Sequence, residues 1–243
     1  MLRQGGPQGA AGSPPRSALI LAGGEFDPQG EQAHLVEGPW DLVIAADGGG
    51  RHAAALGLTP ARLVGDMDSI DPGTREALKG VPTLTFPTAK EQTDSAIAVD
   101  WALEQGARRV VIAGGLGTRF DHSLANAQLL AAIARAGGCG VVTDGRQAVY
   151  LLAGRDFPEL AAADGRPVSL RLEAPAGYLL SVMPLGRCRG LSLKGLRWEL
   201  DGYDLVAGDT LTVSNEFVGR PAELRLEAGL ALVVTAPPEP KWT

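Results

Sequence analysis

The segment Thr93-Asp-Ser-Ala-Ile-Ala-Val-Asp-Trp-Ala-Leu-Glu-Gln-Gly-Ala-Arg-Arg-Val-Val-Ile-Ala-Gly-Gly-Leu-Gly-Thr-Arg-Phe-Asp-His122 decides the fold. Thr93 suits a helix N-cap, and Ala96, Val99 and Leu103 recur at helical spacing on one face. Gly106 ends that helix. Val110-Val-Ile-Ala113 then reads as a buried strand. It runs into the glycine-rich turn Gly114-Gly-Leu-Gly-Thr-Arg119, which delivers Arg119, Asp121 and His122 together. Helices alternating with almost wholly apolar strands imply a mostly parallel sheet covered on both faces.

The alternation extends in both directions. Residues 18–22 form an apolar strand before Gly23-Gly24, and residues 42–46 form another that ends at Asp47-Gly-Gly-Gly50. A short helix follows, stopped by Gly57 as a left-handed cap. Residues 62–64 lead into Gly65-Asp-Met-Asp-Ser69, and residues 83–86 make a fourth strand. The helix after the glycine turn places Leu124, Ala127, Ala131 and Ala134 inward and stops at Gly137-Gly138, before a strand at 140–143. From about Gln147 the period changes. Short alternating runs at 168–173, 178–183, 211–214, 222–227 and 230–235, together with a Trp-bearing strand around 195–200, predict an antiparallel sandwich without helices. The expected organisation is a disordered tail (1–16), a Rossmann-like three-layer α/β nucleotide-binding domain (17–145), an all-β sandwich domain (146–237) and a frayed end (238–243).

Composition narrows the function. A chain of 243 residues that is 45% hydrophobic can build a well-buried core. Its net charge of -6 gives no support for a phosphate-backbone footprint, which argues against nucleic acid as a partner. A polyphosphate ligand would need a divalent cation to offset that charge. Cys139 and Cys188 show neither metal spacing nor a redox motif. Residues 1–16 lack the apolar core of a signal peptide, and no apolar run is long enough to span a bilayer. The expectation is a reduced, cytoplasmic protein without membrane contact.

Four carboxylates stand near strand ends, where open parallel sheets bind ligands. Asp66 and Asp68 lie two apart, so in extended chain they point to one side, ~6.6 Å apart at ~3.3 Å rise per residue. Both can converge on one hydrated Mg2+. Asp47 precedes glycines, among them Gly48 and Gly49, that would let backbone N–H groups approach a phosphate. Asp94 sits in the first turn of its helix, where the dipole favours a carboxylate whatever its function. Each alone also suits an ordinary turn or cap; together they form one candidate cluster. Arg119 can clamp a phosphate bidentately beside Gly115, and Lys90 can reach one as a point charge, although a solvated loop lysine is the commoner case. Asp121 suits a cap for a helix beginning near Ser123, and His122 suits packing on that helix start as well as a site. Trp198 offers a face for a flat cationic ring, and Ser214 and Asn215 offer donors and acceptors for ring nitrogens. On spacing alone, a core Trp and an ordinary strand-end turn explain these three better.

Taken together, Asp47-Gly-Gly, Gly65-Asp-Met-Asp-Ser69, Thr93-Asp94, the Gly114-to-His122 turn, Gly195-Leu-Arg-Trp198 and Ser214-Asn215 resemble the thiamine pyrophosphokinase (thiamine diphosphokinase) family, in that family's order, over residues 18–235. The resemblance implies transfer of the β,γ-pyrophosphoryl unit of MgATP to the hydroxyl of thiamine, with AMP released. It implies a homodimer with thiamine between subunits. By position, Asp47, Asp66, Asp68 and Asp94 would form the acidic Mg-ATP cluster with Thr93 beside it, and Arg119 and Asp121 would lie at the reaction centre. Asp94 or Asp68 is favoured over Asp121 as the base. Trp198 would stack on thiamine, with Ser214, Asn215 and His122 nearby. Gly23-Gly24 stands where an Asn-Gly pair is frequent, Glu91 where Asp is, and Thr118 where Gly is. The rival expectations are a sugar-nucleotide nucleotidyltransferase, suggested by Leu21-Ala-Gly-Gly24, and a nucleotide or thiamine sensor without catalysis.

Overall fold

The computed structural model describes residues 16–65, 70–84, 92–117, 119–157 and 169–238. Asp66, Asp68, Lys90, Glu91, Thr118 and almost all of both expected tails lie outside these residues.

Strands β1 (Arg16–Leu21), β2 (Leu42–Ala46), β3 (Arg62–Val64), β4 (Thr83–Leu84), β5 (Ala107–Ala113) and β6 (Cys139–Thr143) pair in parallel in the order β4-β3-β2-β1-β5-β6. Their near-continuous apolar character follows from burial on both faces. In β1, Ala18 and Ile20 join one core cluster, whereas Leu19 and Leu21 join another on the opposite face. Helices α3 (Asp94–Glu104) and α4 (Phe120–Arg135) supply Ala98, Val99, Ala102, Leu130 and Ile133 to the first cluster. On the other face, α1 (Gly50–Ala55) contributes Ala53, and Leu78 enters just after α2 (Pro72–Ala77). Thr93 caps α3 by accepting from the Ala96 N–H at 3.2 Å. Asp71 caps α2 with Pro72 at its start.

The sheet does not stop where the parallel pairing does. β7 (Ala148–Ala153) adds antiparallel to β6, and β14 (Leu230–Ala236), β9 (Leu179–Pro184) and β12 (Asn215–Glu216) extend it to ten strands. A separate antiparallel sheet, in the order β11 (Leu200–Leu205), β10 (Cys188–Lys194), β13 (Ala222–Arg225), β8 (Leu170–Leu172), faces this extension. Between them lies a third core built from Leu152, Leu180, Val182 and Val233 on one side and Cys188, Leu191, Leu193 and Leu224 on the other. Among the described residues no helix follows α4, and none is long and apolar enough to cross a membrane.

Several local expectations are corrected. α4 begins at Phe120, not near Ser123; its N-cap is Arg119, so Asp121 lies inside the first turn and does not cap it. Leu124 is exposed, and the inward stripe runs through Asn126, Ala127, Leu130, Ala131, Ile133 and Ala134. Residues 211–214 form a turn rather than a strand. There the Thr212 hydroxyl donates to Val182 O at 2.6 Å, the Asp209 carboxylate accepts from Leu211 N–H at 3.1 Å, and Ser214 adopts a φ of 59°. Trp198 lies in the connection between β10 and β11 rather than in a strand. Gly195, at φ 78°, turns the chain there, packed where any Cβ would strike Pro221 O.

Candidate active site

Strand β1 has β2 on one side and β5 on the other. Chain connections leave in opposite directions at such a point, opening a crevice beyond the strands' carboxyl ends. A cleft of about 380 Å3 lies there, lined by Gly23 and Gly24 after β1, Asp47 after β2, Gly114–Gly117 after β5, and the starts of α3 and α4.

Glycines make this crevice possible. A Cβ on Gly24 would stand 2.7 Å from Leu116 O and closer still to Gly114 O. Gly114 has φ 68°, and a Cβ there would meet Ala22 O at 2.8 Å. The two turns therefore touch backbone to backbone, and the Gly24 N–H donates to Gly114 O at 2.9 Å. Four side chains with no expected role brace them. The His52 Nε2 hydrogen-bonds Gly24 O at 2.7 Å, which makes it the N–H donor. Arg51 Nη2 donates to Gly23 O and Gly24 O, both at 2.7 Å. The buried Asn126 Nδ2 donates to Gly115 O at 2.8 Å, and the Ser123 hydroxyl accepts from Gly117 N–H at 3.0 Å. Burial holds the His52 imidazole below its usual 6.5, against the opposing effect of its bond to Gly24; the Arg51 charge pushes the same way as burial. All four were missed in the sequence reading; an Asn within the Ala/Leu stripe of α4 is the one signal that could have pointed to this bracing.

The acidic side of the cleft is built on Gly65. Its φ is 129°, and a Cβ there would lie 3.4 Å from the Asp47 Cα and 3.4 Å from the Asp94 carboxylate. Asp47 itself holds φ 51°, the left-handed region that costs a non-glycine residue energy. Asp47 and Asp94 thus converge on the residue that immediately precedes Asp66. Gly48, buried, brings its backbone N to 3.2 Å from the position of a Gly23 Cβ, so the two glycine turns meet here as well. Thr93 and Asp94 line the cleft together. Among the described residues no three His, Cys, Asp or Glu are grouped to hold a metal. The Asp94 carboxylate beside Gly65 and the Asp47 carboxylate beside Gly23 are hard oxygen donors of the type Mg2+ prefers, and the chain carrying Asp66 and Asp68 continues from Gly65.

Arg119, His122 and Ser123 form the opposite lip. Asp121 holds Arg119 in a fork, Nε to Oδ1 at 3.2 Å and Nη2 to Oδ2 at 2.6 Å. The pair is exposed and contributes little to stability. Its effect is orientation: Asp121 raises the pKa of the guanidinium, and Arg119 lowers that of the carboxylate.

The aromatic candidates lie elsewhere in the chain. Trp198 is 52% exposed and does not line the cleft. The buried Asn215 holds it: Oδ1 accepts from Trp198 N–H at 3.1 Å and Nδ2 donates to Trp198 O at 2.6 Å. The Arg197 guanidinium sits 4.9 Å from the centre of the indole and pairs with Glu216 at 2.8 Å. Ser214 is exposed, with its N–H donating to Ser181 Oγ at 3.0 Å. The structure therefore brings Trp198, Ser214 and Asn215 together and leaves His122 with the acidic cleft.

Comparison with known families gives the same division. The model of the thiamin pyrophosphokinase catalytic domain matches residues 36–141, and that of the thiamin pyrophosphokinase vitamin B1 binding domain matches residues 168–231. The chain belongs to the thiamine pyrophosphokinase family. The two matches together span well over half of it and favour this reading over a nucleotidyltransferase. The thiamine pyrophosphokinase of Bacillus subtilis strain 168 is 28% identical over 197 residues, 79% of this chain and 86% of that protein. A crystal structure of a Bacillus subtilis thiamine pyrophosphokinase has the same fold, with a TM-score of 0.77 and 23% identity over 91% of this chain and 99% of that one. Yeast thiamin pyrophosphokinase retains the fold at 13% identity, with a TM-score of 0.68 over 93% of this chain and 87% of that one.

Proposed function

We propose that this family member is a thiamine diphosphokinase that transfers pyrophosphate from MgATP to the hydroxyl of thiamine, releasing AMP. The observation that carries the reading is that Asp47, Asp94 and Arg119 line one glycine-walled cleft at the sheet's switch point. An acidic wall facing a cation across bare glycine backbone suits a triphosphate bound with a divalent metal better than it suits a neutral ligand.

In this reading residues 17–145 form the Rossmann-like nucleotide domain and residues 146–237 the thiamine-binding sandwich. The glycine turns at Gly48, Gly49 and Gly115 cradle phosphates, aided by Thr93 and Lys90. Asp66, Asp68 and Asp94 hold Mg2+, which when bound neutralises triphosphate charge and leaves the β-phosphorus open to attack. The thiamine hydroxyl oxygen bonds to that phosphorus as the bond to the bridging oxygen of AMP breaks, and the electron pair leaves with AMP. Asp94 or Asp68 takes the hydroxyl proton. Arg119, oriented by Asp121, meets charge developing on the transferred oxygens. Such a reaction asks for positioning and charge neutralisation rather than a covalent intermediate.

Trp198 stacks on the thiamine ring, placed by Asn215, with Ser214 at its edge. Trp198 and the cleft belong to different parts of one chain, so a second copy supplies the partner half. Exposed Met183, Leu211, Val213 and Val218 give the Trp198 side of the molecule apolar surface suited to that contact. His122 of one subunit then borders thiamine held by the other. The soluble substrates fit a cytoplasmic enzyme. The composite site is tested by mixing two impaired variants, Asp94→Asn and Trp198→Ala, and assaying at a thiamine concentration below the wild-type KM, where each alone is nearly silent. Subunit exchange should restore activity to about a quarter of the wild-type level, the fraction of sites that draw both intact halves. No recovery after verified exchange would place each complete site within one chain.

A further inference from the structure

We infer that Arg51 and His52 are positioning residues for the polyphosphate, acting through the Gly23-Gly24 turn to aim the Glu25 N–H into the cleft. The inference rests on the cleft being the nucleotide site.

Both residues belong to α1, and neither lines the cleft. Three donor bonds from α1 reach this turn: Arg51 to Gly23 O and Gly24 O, and His52 to Gly24 O, each at 2.7 Å. In a trans peptide the C=O and the following N–H point in opposite directions. The tie on Gly23 O therefore turns the Gly24 N–H away from α1, and that N–H is used by Gly114 O at 2.9 Å. The tie on Gly24 O turns the Glu25 N–H the same way. The Glu25 N lies 3.9 Å from the position of a Cβ on Gly117, a residue of the cleft wall. Among the described residues the Glu25 N–H has no hydrogen-bond partner. It is a backbone donor held toward the glycine turn that faces the anion.

The clamp resists loosening for two further reasons. The turn cannot tilt toward Gly114, because Gly24 already contacts Gly114 O and Leu116 O as closely as a bare Cα allows. The His52 ring is itself fixed, edge-on to Phe26 at 6.1 Å between centroids. Arg51 Nη1 stands 3.2 Å from where a Gly48 Cβ would be, so the same guanidinium spans the turns after β1 and β2. One side chain thus touches the glycine turns after both strands.

The test uses the full-length protein and two ligands, ATP and inorganic tripolyphosphate, which carries the phosphates without the nucleoside. Arg51→Met keeps the stem and removes the donors; His52→Phe keeps the contact with Phe26 and removes the donor. Either should raise the ATP KM and the tripolyphosphate inhibition constant in parallel by about tenfold, the low end for one charge-assisted backbone bond. The thiamine KM should stay within twofold and kcat within threefold. His52→Gln, which retains a donor, should recover most of the loss. An amide-to-ester replacement at Glu25 exchanges only that N–H for oxygen and should reproduce the tripolyphosphate effect, even if the side-chain variants fold poorly. Unchanged tripolyphosphate binding in the ester protein overturns the inference, as does a joint rise of the ATP and thiamine KM values in the clamp variants. If the unsubstituted protein makes no AMP from ATP and thiamine, direct calorimetric binding of tripolyphosphate decides alone. Weakening by the variants supports the clamp, and no weakening, or no binding, overturns it.

Discussion

Asn215→Ala separates a residue that places the indole proposed to stack on thiamine from one that merely sits near it. The amide makes three bonds: Trp198 N–H to Oδ1 at 3.1 Å, Glu216 N–H to Oδ1 at 2.9 Å, and Nδ2 to Trp198 O at 2.6 Å. Asn215 is only 5% exposed. Each bond is worth about 1 kcal/mol net, and a buried partner left unpaired costs about 1–3 kcal/mol. Trp198 is half exposed, so water re-pairs part of its backbone, and the sum falls near the low end, about 2–4 kcal/mol. For a chain of this size that lowers Tm by roughly 5–12 °C. The indole then loses its fixed seat. The thiamine KM should rise by about tenfold or more, within the range for Trp198→Ala, where losing a stacked ring costs about 1–3 kcal/mol. The ATP KM should stay within twofold, because the acidic cleft lies elsewhere. Urea denaturation and initial rates with each substrate varied in turn measure both effects. A stability loss with an unchanged thiamine KM would refute the reasoning, since it would mean that Trp198 needs no placement by Asn215 or has no contact with thiamine.

The cleft makes three further claims. Asp94→Asn should reduce turnover at saturating MgATP by about a hundredfold, the scale of losing one preorganised group at a transition state; near-normal turnover would remove Asp94 from the acidic cluster. Gly24→Ala drives a Cβ against two backbone carbonyls that cannot rotate away, Leu116 O at 2.7 Å and Gly114 O closer still, and should cost about 2–3 kcal/mol of stability along with nucleotide binding. His52 makes stability depend on pH. Its folded pKa lies below its usual 6.5, so the unfolded chain takes up the proton first as pH falls. The contribution is present above about pH 6.5 and declines below it. Melting curves from pH 7.5 to 5.5 should therefore fall more steeply for the wild type than for His52→Gln, and parallel curves would contradict the burial of this imidazole.

The parallel half of the fold was legible because burial on both faces writes strands as unbroken apolar runs, as at residues 18–22 and 110–113, while α3 and α4 carry a 3.6-residue stripe. The second half was harder. β10 and β11 mix Gly, Ser, Asp and Lys among their apolar positions, and a strand was read on the connection between them instead. Leu211 and Val213 alternate like a strand, but both side chains are exposed, so the alternation carried no burial. In the site, Asp47 and Asp94 were readable because a carboxylate at a strand end or helix start is a local pattern. Arg51 and His52 were not, because they act on carbonyls of a turn far earlier in the chain, and nothing local marks an arginine or histidine for that work. Asn215 was read as a partner for ring nitrogens, yet its amide is taken up by the backbone of Trp198 and its own neighbour. Asn126 and Asn215 both hold backbone, and sequence spacing does not distinguish such a side chain from one that meets a ligand.

The central claim is tested most directly by identifying the nucleotide formed when the purified protein is incubated with thiamine and MgATP. Thiamine-dependent AMP, produced in equal amount with thiamine diphosphate, is the expected result. ADP in place of AMP would mean transfer of a single phosphoryl group, and no turnover with thiamine-dependent quenching of Trp fluorescence would mean a binding protein; either would contradict it.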